Sequence, residues 1–190
     1  MTRIKLRSGQ SGFTIIETMI AIAVLTIGVL TVMAAFGSAV SSTQNSEEQL
    51  IAREKALQAL ESVFAARNDQ QITFAQIANI SNGGIFTNGA VQLLCAGPDG
   101  LVNTADDVNC PASGPCAAGP ECVVLPGPDG ILGTSDDLAL SLAAFTRNIQ
   151  ITQVPGYTTL DQVAVTITYP QGGLVRSQTY VVNALISSYR

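Results

Sequence analysis

Two stretches of this chain carry the residues that could do chemistry. Gly97-Pro98-Asp99-Gly100-Leu101-Val102-Asn103-Thr104-Ala105-Asp106-Asp107 recurs thirty residues later as Gly127-Pro128-Asp129-Gly130-Ile131-Leu132-Gly133-Thr134-Ser135-Asp136-Asp137. The shared pattern is G-P-D-G-x-x-x-T-x-D-D. A tight Asp-Gly turn followed by paired carboxylates can gather oxygen ligands for a hard cation such as Ca²⁺, which takes about six to eight of them. Asp99, Asp106 and Asp107, with Asn103 as an amide ligand, would serve one site; Asp129, Asp136 and Asp137 would serve a second. A solvated β-turn is the plainer reading of Pro-Asp-Gly, but a turn alone does not call for the acidic pair. The spacing departs from that of an EF-hand.

Between and beside these loops lie Cys95, Cys110, Cys116 and Cys122. Four cysteines allow three pairings, and sequence order does not select among them. Cys95 with Cys110 and Cys116 with Cys122 is the favoured pairing, because each closes a short loop. Zinc is the competing use, but the chain has no His and no C-x-x-C. The lack of His also removes the usual general base near neutral pH. No nucleophile elbow, Walker A loop or dinucleotide fingerprint occurs, and the Asp pairs sit in Gly- and Pro-rich surroundings with little apolar cover to raise a pKa. An enzyme is not expected.

The elements that position these groups begin at the other end of the chain. Arg3, Lys5 and Arg7 form a basic leader without acids, and from position 13 to 40 the only ionisable side chain is Glu17. That run exceeds the roughly 20 apolar residues needed to cross a bilayer. A lone carboxylate there is costly without a partner, so it marks a function. Charges return after position 41, where Leu50, Leu57, Leu60 and Phe64 recur at helical spacing beside Glu54, Gln58 and Glu61. With no Pro or Gly between 38 and 68, one helix is expected over about 13–66, on the order of 80 Å at 1.5 Å per residue.

Gly12-Phe13-Thr14-Ile15-Ile16-Glu17, set between a short basic leader and a long apolar run, resembles the type IV prepilin superfamily. The resemblance implies cleavage between Gly12 and Phe13 by a prepilin peptidase that is also an N-methyltransferase, and methylation of Phe13. It also implies pairing of Glu17 with the terminal amine of a neighbouring pilin subunit. Ala23-Val24-Leu25-Thr26-Ile27-Gly28-Val29-Leu30, and the absence of the helix-breaking Pro usual in major pilins, look more like the minor pilins called type IV pilus modification proteins (PilV-type) and the related type II secretion pseudopilins. An inner-membrane assembly platform would be a further partner. The leader would lie on the cytoplasmic side and the head in the periplasm before incorporation into a pilus or pseudopilus, in line with the rule that basic flanks stay inside. Cysteines in that compartment favour disulfides.

The head reads as strands towards its end. Val163, Val165, Ile167 and Tyr169 alternate with polar or small residues, Pro170-Gln171-Gly172-Gly173 turns the chain, and 174–186 returns; 145–154 is a preceding strand with Ile149 and Ile151 on one face. Residues 72–80 suggest a short helical turn, and 95–137 reads as a long irregular loop region held by its cysteines. The expected organisation is a leader over 1–12, a membrane or filament-core helix over 13–40, its amphipathic half over 41–66, and a head over 67–190 with loops at 95–137 and a sheet at 143–187. This is an α+β architecture of the pilin kind, with the helix covering an antiparallel sheet. Formal charge is −5, and removal of Arg3, Lys5 and Arg7 from nine basic residues leaves six against fourteen acidic, or −8. Such a balance argues against nucleic-acid binding. A membrane-anchored, calcium-dependent adhesive or binding module is the competing function of another class.

Overall fold

A computed structural model describes residues 12–171 and 174–189. The chain divides into two compact units, Met1–Thr43 and Gln44–Arg190. Helix α1, Ile15–Asn68, is a single element of 54 residues. Thr14 caps it: its Oγ1 accepts a hydrogen bond from the Glu17 amide at 3.3 Å, and the Glu17 carboxylate sits in the first turn. It ends with Arg67 in its last turn, where the Arg67 guanidinium donates to the Ser187 and Tyr189 carbonyls of the chain's last strand and tail.

The head carries six strands: β1 (Val91–Gln92), β2 (Cys122–Leu125), β3 (Leu138–Ser141), β4 (Thr146–Gln153), β5 (Leu160–Gln171) and β6 (Leu174–Ser187). One antiparallel sheet runs in the order β1-β4-β5-β6, and β2 and β3 form a separate two-stranded ribbon. The alternation in β5 is realised as expected: Val163, Val165, Ile167 and Tyr169 are buried, opposite Ala184, Val182, Tyr180 and Gln178 of β6. Ile149 and Ile151 of β4 face Val165 and Val163. The Pro170 turn was expected to run through Gly172 and Gly173, which lie outside the described residues. Residues 72–80 yield two short 3₁₀ turns, Phe74–Gln76 and Ile80–Asn82.

Three differences from the sequence reading have clear causes. The sheet gains β1, a two-residue strand too short to show a period. The irregular region contains β2, whose Cys-Val-Val-Leu run is a continuous apolar stretch without alternation and is hidden between Pro- and Gly-rich loops. The buried stripe of α1 is Ile51, Ala52, Ala56, Ala59, Val63 and Ala66 rather than the leucines: Leu50 is 63 % exposed, and Leu60 and Phe64 only flank the core. The alanines run along the middle of the buried face with Ile51 and Val63, and Leu60 and Phe64 pack at its margins.

Candidate functional site

In the amino-terminal segment the hydroxyls deal with their own polarity. Thr18, Thr26 and Thr31 each donate back to a carbonyl one turn earlier, Ile15, Ala23 and Gly28, at 2.8 Å. Such bonds keep a hydroxyl satisfied where no water is available. Glu17 is different. Among the described residues its carboxylate accepts no hydrogen bond and makes no ion pair. The surrounding Phe13, Ile15, Ile16, Met19 and Ile20 are all exposed, and α1 is long and apolar enough to cross a membrane. The site is therefore an apolar rod bearing one unsatisfied acid four positions beyond Phe13.

In the head, Cys95 is joined to Cys110 and Cys116 to Cys122. Both bridges line a recess of about 460 Å³ together with Lys55 and Glu121. Glu121, on the lead-in to β2, is the hinge of a small charge network: its Oε2 lies 2.8 Å from Lys55 Nζ of α1 and its Oε1 3.2 Å from the Arg147 guanidinium of β4. Arg147 is only 2 % exposed and occupies a core-facing position of its strand, between the sheet and the loops. The network pins the head portion of α1 to β4. Its one sequence signal was an Arg in phase with Ile149 and Ile151, which the sequence reading passed over.

The acidic repeat folds into two loops with the same internal bonds. In the first, Asp99 Oδ1 accepts from the Leu101 amide at 2.8 Å, Asp106 Oδ2 from the Asp99 amide at 3.3 Å, and Asp107 Oδ2 from the Asn103 amide at 2.7 Å, while Thr104 Oγ1 donates to Asp106 Oδ1 at 2.7 Å. In the second, the matching distances are 2.8 Å to Asp129, 3.4 Å to Asp136, 2.7 Å from the Gly133 amide to Asp137, and 2.6 Å from Thr134 to Asp136. The first glycine of each copy is required by contact: a Cβ on Gly97 or Gly127 would lie 2.3 Å from the Asp106 or Asp136 carbonyl oxygen. The Gly, Asp and Thr positions of the pattern thus each have a task in closing the loop, the acidic pair included.

These bonds set the carboxyl electrostatics. The Thr104 hydroxyl, chiefly, holds the Asp106 carboxyl below its ordinary 3.8, and Thr134 does the same for Asp136. Burial pushes Asp107 the other way, against its amide bonds and the Arg147 charge. The side-chain Oδ1 of Asn103, whose own amide binds Asp107, is buried without a hydrogen-bond partner. Among the described residues no group of three or more Asp, Glu, His or Cys side chains is gathered so as to hold a metal ion.

Residues 7–33 match the family described as Prokaryotic N-terminal methylation motif, a type IV pilin-like prepilin signal. The match spans positions 7–12 and the first three quarters of the apolar run, including Gly12, Phe13 and Glu17, and none of the head. It indicates processing by a prepilin peptidase and assembly with other pilin-like subunits. The motif and the apolar helix are together consistent with membrane anchoring before assembly. No curated protein and no solved structure matches the chain.

Proposed function

We propose that this chain is a minor subunit of a type IV pilus, acting by assembly rather than by turnover. The observation that carries the reading is the prepilin motif running without a break into a 54-residue helix whose apolar half holds a single unsatisfied carboxylate. In this reading the peptidase cuts between Gly12 and Phe13 and methylates the Phe13 amine. Glu17 then meets the terminal amine of a neighbouring subunit. An isolated charge in hydrocarbon costs several kcal/mol or so, and pairing returns most of that, so the transfer from bilayer to filament core is favoured at this residue. The inner-membrane platform would deliver the subunit, and the disulfide-braced head would face outward. The absence of Pro between positions 13 and 64 supports a minor rather than a major subunit.

Mass spectrometry of the protein from its native membrane tests the first step. The expected product begins at Phe13 and carries one extra methyl group; a product retaining residues 1–12 would overturn the reading. The nearest alternative is a type II secretion pseudopilin, which shares this helix chemistry and differs in the filament it copurifies with. Recovery of an uncleaved, filament-free membrane protein would favour the anchored binding module.

Calcium at the acidic loops is a second proposal. It is favoured at the first loop by the orphaned Asn103 Oδ1, and it requires Asp99, Asp106 or Asp107 to exchange amide donors for the ion. Addition of Ca²⁺ to chelator-treated protein should raise the melting temperature and slow proteolysis of 97–107; no change in either would remove it.

A further inference from the structure

The two acidic loops share an internal scaffold but not its surroundings. The first is seated in its own head. Leu101 is 1 % exposed, Val102 packs on the core, and Thr87 fastens the loop by donating from its amide and its hydroxyl to the Asn103 carbonyl at 2.7 and 2.9 Å. In the second loop, which joins β2 to β3, the corresponding Ile131 and Leu132 are 60 % and 61 % exposed, and Leu138 beside them is exposed as well. Gly133 stands where Asn103 makes the fastening. Asp129, Asp136 and Asp137 make no ion pair among the described residues.

We propose that the 127–137 loop is a docking element that seats its Ile131–Leu132 pair in an apolar recess of another protein, bordered by Arg or Lys, much as the 97–107 loop seats Leu101 and Val102 in the core of its own head. The scaffold bonds hold the pair outward before any contact, which lowers the ordering cost of binding. Charge selects the occupant. Three carboxylates give the loop −3, or −1 with one Ca²⁺ held, and an anionic bilayer surface repels either state. A second copy of this chain offers no equivalent seat at its buried or half-buried cations, because Arg147 is 2 % exposed and paired with Glu121, and Lys55 at the disulfide recess is paired with the same carboxylate. A different protein with a cationic rim satisfies both the apolar pair and the acids.

The test uses the full-length chain in the cells that make it. A photo-crosslinking p-benzoylphenylalanine is placed at Ser135, exposed in this loop, and for comparison at Asn82, exposed in a separate turn. The expected result is an adduct at 135 and not at 82, joined to a peptide of another protein that contains apolar residues and at least one Arg or Lys. Ile131→Ser with Leu132→Ser should lower the adduct yield about a hundredfold, the scale of losing two buried aliphatic side chains. The purified double variant should melt with the parent, since both positions are exposed. No adduct, an adduct with lipid or with a second copy, a partner peptide without a cation, or a yield unmoved by the double substitution would each overturn the proposal. Cleavage after Gly12 is read separately by mass, so failure here leaves the filament reading standing.

Discussion

Asn79 completes a sheet edge with a side chain. β1 covers β4 only at Arg147 and Thr146, and beyond it the edge is met by the Asn79 amide: Nδ2 donates to the Ile149 carbonyl at 2.7 Å and to the Thr87 carbonyl at 3.3 Å, while Oδ1 accepts from the Ile151 amide at 2.8 Å. Ile149 and Ile151 are buried. Asn79→Ala strands one carbonyl and one amide of β4, at about 1–3 kcal/mol each, so the head should lose about 3 kcal/mol. For a unit of this size that corresponds to a fall in Tm of about 8 °C. Asn79→Asp keeps the acceptor but removes the donor and brings a charge into a buried site, and should cost at least as much at neutral pH. The chain has no Trp, so the assay is the near-ultraviolet circular dichroism of its tyrosines during heating. Tyr169, buried and stacked on Phe145 with ring centroids 5.9 Å apart, reports the core. A loss below about 1 kcal/mol for Asn79→Ala would refute the argument, because water from the adjoining cleft of about 350 Å³ would then be replacing the amide.

Glu17→Ala should leave cleavage after Gly12 intact while lowering recovery in the filament fraction, checked by immunoblot of sheared filaments against membranes; equal recovery would contradict the assigned pairing. Replacing Cys95 and Cys110 by Ser should cost about 3 kcal/mol by loop-closure entropy, and replacing Cys116 and Cys122 about 2, following separations of 15 and 6 residues, as read from urea melts of the two double variants. The pH dependence has a worked sign. Asp136 has a folded pKa below 3.8, so its contribution is present above that value and lost as pH falls through the folded value; Asp107 has a raised one, so protonation relieves it as pH falls. Thr134→Val removes the principal cause at Asp136, and carboxyl NMR titration should show that group moving up towards 3.8 while Asp106 stays where it is.

The helix, the prepilin signal and strands β4 to β6 were legible residue by residue. Apolar length, a 3.6-residue or two-residue period and the Gly12-Phe13 junction are local properties, and a local rule reads them. The repeat was equally plain as a pattern. Its meaning was not, because identical loops acquired different fates from what lies around them: Leu101 found the core and Ile131 found solvent.

What the tertiary structure alone decided follows the same division. Periodicity marked α1 as amphipathic, yet which stripe is covered was decided by packing against the head, which buries Ala52, Ala56 and Ala59 and leaves Leu50 exposed. Arg147 and Glu121 lie 26 residues apart, and Asn79 and Ile151 lie 72 apart; no spacing rule joins them. Burial removes water as an alternative partner, and that turns such distant pairs into fixed contacts. Short-range patterning set which elements form, and long-range packing set which of their faces and which of their twin loops are left open to another molecule.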